Sequence, residues 1–365
     1  MKALAAFPDE KAVRLIDLPE PGPLGPTDVR LRVLDVGICG TDREIAAFLY
    51  GTPPAGSPHL VMGHESLGEV LEVGAAVTNV AVGDLAIPMV RRPCPHLYCR
   101  PCRDGRQDFC VTGDFLERGI KGAPGYLAGQ VVDDEWYFVR VPKELRDVAV
   151  LVEPLTIAEK AADQVSVLLQ RIPGNLEQSA AFRRAVVLGA GPVGLLGAMK
   201  LVESGWETWV YSKGDPSSPS AEVATALGAR FVYSDAHDPA SLAEMVGSIS
   251  LVYEATGAAG VSFDVMSVLG VNGVFVFTGV PGRKGPIELD ADLIMRNLVL
   301  KNQVVVGTVN AGRADFEAAV RDIEAFLGSF PEAVRALVTA RIPFDGAREA
   351  VLSPPPGIKT VVEVG

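Results

Sequence analysis

Hydrophobic residues in the first 150 positions fall mainly in short β-branched runs that glycines and prolines interrupt. Four such runs are DVRLRVLDVGI, LGEVLEVG, GDLAIPMV and EWYFVRVP. Short apolar runs between turn residues are typical of β-strands. Glycines in LEVGAAVTNVAVGDLAI stand where a small barrel would turn sharply. The pattern therefore predicts a β-rich N-terminal domain.

The pattern changes after a predicted helix at 155–171, which ends near Pro173, and a surface connection at 175–184. From residue 185, AVVLGAGPVGLLGAMKLVESG indicates a strand, a glycine turn and a helix. Strand-like segments then alternate with helical ones: ETWVYS, RFVYS, SLVYEATG, GVFVFTGV and NQVVVGTV. This alternation predicts a doubly wound parallel sheet. A helix at 314–330 and the strand-like tail GIKTVVEVG follow, and we expect the tail to return to the first domain.

Composition narrows the class of protein. The 365 residues are enough for about two domains. The net charge of −12 disfavours nucleic acids and anionic membranes as partners. No run approaches the length of a membrane span, and the N-terminus lacks the apolar core of a signal peptide, so we expect a cytoplasmic protein.

A glycine motif opens the second domain. Because it follows an apolar strand and begins a helix, it has the context of a dinucleotide-binding turn, in which the helix N-terminus faces the pyrophosphate. The alternative is a glycine-rich turn without a ligand. The predicted contacts in this turn are Gly189, Ala190, Gly191, Pro192, Val193 and Gly194.

The end of the second strand, WVYSKGD, bears on which dinucleotide binds. Ser212 and Lys213 stand where an NAD site usually carries a carboxylate for the ribose hydroxyls. A hydroxyl and an ammonium favour the 2′-phosphate of NADP, although Asp215 could still turn towards an NAD ribose. The alternative for Lys213 is a solvated surface lysine. The predicted cofactor site also includes Thr256, Thr278, Val280 and Asn310.

Four of the five cysteines crowd into one short segment with the spacing C-x4-C-x2-C-x7-C. Such a cluster in a cytosolic enzyme indicates metal binding rather than disulfides. Four thiolates predict a closed, tetrahedral, structural zinc site. The alternatives are four free thiols, or His96 in place of one cysteine. The predicted ligands are Cys94, Cys99, Cys102 and Cys110.

The fifth cysteine, Cys39, belongs to a second candidate site with His64 and Glu65 of GHE. A catalytic zinc takes three protein ligands and keeps one position open. Glu153, a lone acid in an apolar run, is the third candidate ligand, because a metal would offset the cost of burying it. The alternatives are a core histidine at position 64 and a partly exposed strand-end acid at position 153.

Together these segments resemble the zinc-dependent medium-chain dehydrogenases over nearly the whole chain, from GICGTD and GHE to GIKTVVE. Within that superfamily the chain is similar to the archaeal-type glucose dehydrogenases, through MVRRPC, GRQDFC, ERGIKGAPGY, VEPLTIAEK and GTVNAG. The resemblance implies an α/β fold with the active site in a cleft between two domains. A GroES-like β-rich catalytic domain would comprise 1–184 and 311–365, with a cysteine lobe at 91–111, and a Rossmann domain would comprise 185–310.

The resemblance also implies the reaction. The family would oxidise an aldose, most simply D-glucose at C1 to the lactone, with NADP or NAD and two zinc ions per chain. Residue by residue, the catalytic zinc falls on Cys39, His64 and Glu153, and Glu65 matches an occasional extra ligand or sugar contact. Such relatives imply a homodimer or homotetramer.

The remaining implied roles concern the substrate. Thr41 matches the hydroxyl that relays the proton, and Glu117 and Asn310, from different predicted domains, match sugar-binding positions. The predicted substrate contacts are therefore Thr41, Glu65, Glu117, Glu153 and Asn310.

The sequence departs from the family at two places. The first cysteine spacing is x4 where relatives often have x2, so Pro95–Tyr98 is expected to loop out. Ile157 stands where some relatives carry a polar sugar contact, which leaves a sorbitol or galactose dehydrogenase as an alternative. A zinc-free quinone reductase is disfavoured by the Cys39 and His64 pair. A non-catalytic NADP-binding protein is the distant alternative.

Overall fold

The computed structural model describes residues 1–173, 182–282 and 285–365. Contacts within the chain divide it into two compact units. Unit 1 comprises Met1–Thr156, Asn310–Glu324 and Leu337–Gly365, and unit 2 comprises Ile157–Val309 and Ala325–Ala336. The division thus lies inside a long helix, earlier than the break expected at 184/185. Most of the predicted connection at 175–184 lies outside the described residues.

The strands are numbered in chain order. They are β1 (Lys2–Phe7), β2 (Ala12–Asp17), β3 (Asp28–Ile38), β4 (Leu60–Val61), β5 (Glu65–Val73), β6 (Leu85–Pro88), β7 (Arg91–Arg92), β8 (Leu116–Arg118), β9 (Gly122–Ala123), β10 (Gln130–Asp134), β11 (Phe138–Val141), β12 (Arg184–Leu188), β13 (Glu207–Ser212), β14 (Arg230–Tyr233), β15 (Ile249–Glu254), β16 (Leu269–Phe277), β17 (Val304–Gly307), β18 (Val338–Pro343) and β19 (Lys359–Glu363).

The α-helices are numbered in the same way. They are α1 (Gly40–Ala46), α2 (Arg100–Arg103), α3 (Val152–Leu169), α4 (Pro192–Glu203), α5 (Pro219–Ala226), α6 (Pro239–Val246), α7 (Ala259–Ser267), α8 (Ala291–Leu300), α9 (Arg313–Ser329), α10 (Pro331–Ala336) and α11 (Ala347–Leu352). Among the described residues, none of these helices combines the length and the apolar character needed to cross a membrane.

Unit 1 is the β-rich unit that the short apolar runs predict. Its largest sheet has the order β11-β6-β5-β3-β19-β18, with β10 also paired to β3, and two three-stranded sheets have the orders β2-β1-β4 and β7-β8-β9. The predicted return of the tail is present, because β19 lies antiparallel to β3 in this sheet. Strands β3 and β5 are neighbours, which places the residues at the end of β3 beside those at the start of β5.

Unit 2 contains the parallel sheet that the strand and helix alternation predicts. Its order is β14-β13-β12-β15-β16-β17, with the first strand of the unit in the middle. The central strands are mainly apolar, as is typical of a parallel sheet that helices cover on both faces. Val186, Val252 and Phe275 from three adjacent strands are buried in its core. The fold is α/β with a doubly wound sheet, as expected.

Candidate active site

Three potential metal ligands meet in unit 1. One ligand atom each from Cys39, His64 and Glu65 lies within 4.8 Å of the others. Cys39 follows β3 and precedes α1, whereas Glu65 begins β5, so the pairing of the two strands brings them together. Gly37 of β3 lies directly opposite Glu65. A Cβ at Gly37 would stand 2.2 Å from Oε2 of Glu65, so a side chain at this position would displace the carboxylate from its place.

Asp42 holds this cluster in place from the first turn of α1. Its carboxylate accepts hydrogen bonds from the backbone N–H of Cys39 at 2.9 Å and of Gly63 at 3.2 Å. Oδ1 also lies 3.5 Å from Nδ1 of His64. Burial lowers the pKa of His64, but Asp42 and Cys39 together outweigh burial through their charge and hydrogen bonding, and they hold that pKa well above its usual value. With Asp42 on the Nδ1 side, Nε2 is the nitrogen left for a metal.

Lys359 is a site residue that the sequence analysis missed. Its ammonium is buried and donates to Oε1 and Oε2 of Glu65 at 2.7 and 2.5 Å. A third contact, to the carbonyl of Ile38, measures 3.4 Å. The available signal was a lone lysine at the start of the otherwise uncharged run KTVV.

The two other predicted residues of this site lie on helices of unit 1. Glu153 is the second residue of α3 rather than a strand-end acid, and it is buried. Burial raises its pKa to about 7, with His64 opposing and Glu65 adding to the effect. Its carboxylate is not in the group within 4.8 Å, so its role as third ligand stays a prediction. Thr41 is half-buried and follows Gly40 in α1.

The residues fit a divalent zinc ion. A thiol, an imidazole and a carboxylate are the donors that catalytic zinc sites use. A histidine that binds a metal through one ring nitrogen usually donates a hydrogen bond to a carboxylate through the other. In the described part of the chain, Nδ1 of the buried His64 has no hydrogen-bond partner and is therefore free to make that second contact. The carboxylate nearest to that nitrogen is Asp42, with Oδ1 at 3.5 Å.

The four clustered cysteines form a second group of ligands in unit 1. Their Sγ atoms all lie within 4.8 Å of one another, and those of Cys99 and Cys110 are 3.9 Å apart. Four thiolates at about 2.3 Å from a tetrahedral zinc would lie about 3.8 Å apart. The spacing of the sulfurs therefore fits a closed zinc site.

The backbone around Cys110 favours the thiolate form of this residue. Burial raises the pKa of Cys110, but hydrogen bonds from the side chain and backbone of Thr112 and from the backbone of Gly113 lower it to about 6. His96 is not part of the group within 4.8 Å, and its ring contacts Asp114 instead. The segment 95–98 forms an exposed turn, with Leu97 81% exposed.

Glu117 and Asn310, the predicted sugar contacts, are hydrogen-bonded to each other. Nδ2 of Asn310 donates to Oε1 of Glu117 at 2.9 Å. Asn310 has a φ of +60°, a left-handed conformation that asparagine tolerates better than most residues. The expectation that the two residues come from different domains was wrong, because Asn310 begins a segment of unit 1. The side-chain hydrogen bond is one of the contacts that tie this segment to unit 1.

The glycine turn of unit 2 has the geometry that pyrophosphate binding requires. Gly189 has a φ of +99°, which permits the tight turn after β12. At Gly194 a Cβ would stand 2.1 Å from the carbonyl oxygen of Gly189, so helix and turn pack too closely for a side chain. Gly191 faces open space, where a backbone can approach a ligand. The turn places Ala190, Pro192 and Val193 at the N-terminus of α4.

The end of β13 carries the two residues that bear on cofactor choice. Ser212 ends the strand, and Lys213 is exposed next to it. Asp215 does not turn back to the strand end. Its Oδ1 accepts hydrogen bonds from the backbone N–H and the hydroxyl of Ser217, at 2.8 and 2.5 Å. In this conformation the end of β13 carries a hydroxyl and an ammonium rather than a carboxylate.

Glu254, at the end of β15, organises the two loops that contain three predicted cofactor contacts. Its Oε1 accepts hydrogen bonds from the backbone N–H of Thr256 and Gly257 and from the hydroxyl of Thr256, at 2.6 to 2.8 Å. Its backbone carbonyl accepts the hydroxyl of Thr278 at 2.6 Å. Val280, in the second loop, is exposed. Glu254 was not predicted from the sequence, although a single acid that ends an apolar strand was a visible signal.

Comparison with known families identifies the relatives of both parts of the chain. The family model described as alcohol dehydrogenase GroES-like domain matches residues 25–143, and that described as glucose dehydrogenase C-terminus matches residues 146–364. This chain belongs to the glucose dehydrogenase family. The resemblance seen in the sequence is thereby confirmed, and the chain is an NAD(P)-dependent oxidoreductase.

Individual members of the glucose dehydrogenase family align along the full chain. A glucose 1-dehydrogenase of Methanocella arvoryzae is 35% identical and covers 100% of both chains. Glucose 1-dehydrogenase 1 of Caldivirga maquilingensis is 40% identical, covering 100% of this chain and 99% of its own. The solved structure of Haloferax mediterranei glucose dehydrogenase in complex with NADP, Zn and gluconolactone superposes with a TM-score of 0.90 at 31% identity. It covers 100% of this chain and 99% of its own.

Proposed function

We propose that this enzyme oxidises D-glucose at C1 to the lactone and transfers the hydride to NADP. The observation that carries the proposal is the group of Cys39, His64 and Glu65 in the same unit as the hydrogen-bonded pair of Glu117 and Asn310. The first group has the donors of a catalytic zinc, and the second offers the paired polar groups that a polyol requires. Relatives named glucose 1-dehydrogenase at 30 to 40% identity support the same substrate.

Each residue has a distinct task in this proposal. Cys39 and His64 hold the zinc with Glu65 or Glu153 as third ligand, and bound zinc would make the C1 hydroxyl more acidic. Thr41 accepts the proton that this hydroxyl loses and passes it outward, since its own hydroxyl follows the ligand Cys39 by two positions.

The substrate and the cofactor are held by separate groups. Glu117 and Asn310 orient the sugar through hydrogen bonds. Gly189, Gly191 and Gly194 hold the pyrophosphate at the start of α4, and Lys213 pairs with the 2′-phosphate. Thr256, Thr278 and Val280 are the proposed contacts in the loops after β15 and β16, and Asn310 is a further one. NAD is a second possible cofactor, because Ser212 accommodates a ribose hydroxyl as well.

Two zinc ions per chain form part of the proposal. The first is catalytic and the second is structural, held by Cys94, Cys99, Cys102 and Cys110. The closed cysteine site leaves no position for substrate, so its role is to hold a lobe that has few apolar residues of its own.

We also propose a homodimer or homotetramer. Met295, Val299 and Leu300 of α8 are 64 to 74% exposed, and Val305 of the neighbouring strand β17 is also exposed. In the described part of the chain β17 forms an edge of its sheet, and exposed edges with apolar side chains favour association. Sedimentation equilibrium at micromolar concentration tests this, and a monomer at all concentrations would contradict it.

The activity is tested with a panel of glucose, galactose, xylose, sorbitol and ethanol against NADP and NAD, before and after chelation. We expect reduction of NADP to be fastest with glucose, to stop after chelation and to return with zinc. A preference for sorbitol or galactose would instead support the related polyol or galactose dehydrogenases. Binding of NADP without turnover of any substrate would support a non-catalytic protein.

A further inference from the structure

We infer that Arg91 is a positioning residue for the sugar, acting through Glu117. The inference rests on the proposed function, because it assumes that Glu117 binds the substrate. Arg91 in β7 lies directly opposite Glu117 in β8. Its Nε and Nη2 both donate to Oε1 of Glu117, at 3.1 and 2.8 Å. Both side chains are buried, so the pair is shielded from solvent.

The hydrogen bonds on Glu117 determine which of its oxygens can meet a ligand. Oε1 accepts two hydrogen bonds from Arg91 and one from Nδ2 of Asn310. Three donors fill the acceptor capacity of one carboxylate oxygen. Within the described part of the chain no hydrogen bond reaches Oε2, so Oε2 is the atom left for a sugar hydroxyl. Arg91 therefore fixes both the charge and the orientation of the proposed sugar acceptor.

Arg91 is itself held from three sides by the cysteine lobe and the loop after it. Its Nη1 donates to the carbonyl of Asp108 at 3.2 Å, and its own carbonyl accepts from Nε2 of Gln107 at 3.3 Å. The guanidinium lies 3.7 Å from the ring centroid of Phe115. Asp108 lies two positions before Cys110. The guanidinium of Arg91 therefore links the backbone of Asp108, close to Cys110, with the carboxylate of Glu117.

A lysine cannot reproduce this arrangement, because an ammonium lacks the planar fork that donates from Nε and Nη2 to one acceptor while Nη1 donates to another. Arg91→Lys keeps the charge and loses the geometry. Arg92→Lys is the matched control. Arg92 is the adjacent residue of β7 and is also buried, but it points the other way and pairs with Asp133.

The experiment is a double-mutant cycle of Arg91→Lys with Glu117→Gln, measured as kcat and KM for glucose and KM for NADP. We expect Arg91→Lys to raise the KM for glucose about tenfold to a hundredfold and to leave the KM for NADP within about twofold. In the Glu117→Gln background the same change should raise the KM for glucose less than about twofold. Arg92→Lys should lower the melting temperature and leave the KM for glucose unchanged.

The outcomes separate the two proposals. If Glu117→Gln leaves the KM for every sugar unchanged, the sugar role of Glu117 is wrong and the inference fails with it. If Glu117→Gln has its effect but Arg91→Lys has none, or the two effects multiply in full, only the inference fails. Phe115→Leu provides a second variant should Arg91→Lys not fold. It should raise the same KM about two- to fivefold, again not additively with Glu117→Gln.

Discussion

Lys359 Nζ lies 2.5 Å from Oε2 of Glu65, and both side chains are sealed from solvent. An ammonium therefore occupies the side of the candidate metal ligand that faces β19. A buried carboxylate without a counter-charge is strongly destabilising, so one cation or another has to accompany Glu65. The ion pair with Lys359 supplies the counter-charge that the buried carboxylate of Glu65 requires.

Lys359→Met should destabilise the metal-free protein by about 3 to 5 kcal/mol, because it leaves Glu65 unpaired. Zinc should recover part of this loss, since a divalent cation can take over the charge of Glu65. The zinc-induced rise in melting temperature should thus be larger in Lys359→Met than in the wild type. Lys2→Met, which removes an exposed ion pair with Asp345, is the control. Equal zinc-induced shifts in all three proteins would exclude Glu65 from the metal site.

Lys213→Ala should weaken the binding of NADP about tenfold or more and change the binding of NAD little, because only NADP carries the 2′-phosphate. The measurement is the KM for each cofactor at saturating sugar. Lys11→Ala, an exposed lysine of unit 1, should alter neither value. Equal losses for NADP and NAD would mean that Lys213 is an ordinary surface residue.

Cys102→Ser should lower the zinc content from two ions per chain to about one and reduce the melting temperature, because binding energy at a closed site is folding energy. Elemental analysis after gentle purification gives the first value and calorimetry the second. His96→Ala should retain both ions, since its ring contacts Asp114 rather than the thiols. A wild-type protein with one zinc or fewer would refute the two-site proposal.

Thr41→Val should reduce kcat about 10²- to 10⁴-fold while the ranking among glucose, galactose and xylose is kept, because the change removes the proton acceptor at C1 and leaves Glu117 and Asn310 to distinguish the other hydroxyls. Glu117→Gln is the converse variant. It should raise the KM for glucose and reduce the differences in KM between glucose and its epimers. Thr41→Ser, which keeps the hydroxyl, should restore most of the turnover. An unchanged kcat in Thr41→Val would assign the proton transfer to another group.

Acid should destabilise the protein through Asp133. Burial raises the pKa of Asp133, but Arg92 and Arg118 outweigh burial and hold it below the usual value. Because the folded pKa lies below the unfolded pKa of about 3.9, the stabilisation is complete above that pH and is lost as pH falls through the folded pKa.

Asp133→Asn should therefore cost about 3 to 5 kcal/mol at pH 7 and weaken the dependence of stability on pH below about pH 4. Urea unfolding between pH 3 and pH 7 measures both. Asp104→Asn, in an exposed pair with Arg100, should leave the profile as in the wild type. Parallel profiles for Asp133→Asn and the wild type would show that other carboxylates dominate the acid response.

The sequence predicted the unit 2 fold well because local rules decide it. The first motif is an apolar strand, a turn with Gly189 and Gly194, and a helix that packs back on the strand. Motifs of strand and helix then repeat along the parallel sheet. The cysteine cluster was equally predictable, since its four members are close in sequence. The meeting of Cys39 and His64 was also predicted, but the predicted third ligand was Glu153, whereas the carboxylate that joins the group is that of Glu65.

Long-range partners were not predictable in this way. Glu117 and Asn310 are separated by 193 positions, and Asn310 was assigned to the wrong unit because the strand before it belongs to the parallel sheet. Lys359 contacts Glu65 across 294 positions. The sequence predicts that Lys359 lies in a strand, but it does not predict which strand is the neighbour. Whether a charged residue is buried depends on such long-range pairs. A lone lysine or glutamate in an apolar run can therefore be recognised in the sequence, but its partner cannot.

The 294 positions between Glu65 and Lys359 also set an order of assembly on the ribosome. Strands β3 and β5 are made early and can pair as soon as they emerge, yet β19 reaches β3 only after the whole parallel sheet has been translated. Throughout that interval the nascent chain carries Glu65 without its lysine, and water or a captured ion has to serve as its companion. Glu65 therefore gains its buried counter-charge only when β19 pairs with β3, so the group of Cys39, His64 and Glu65 takes its final arrangement at a late step of folding.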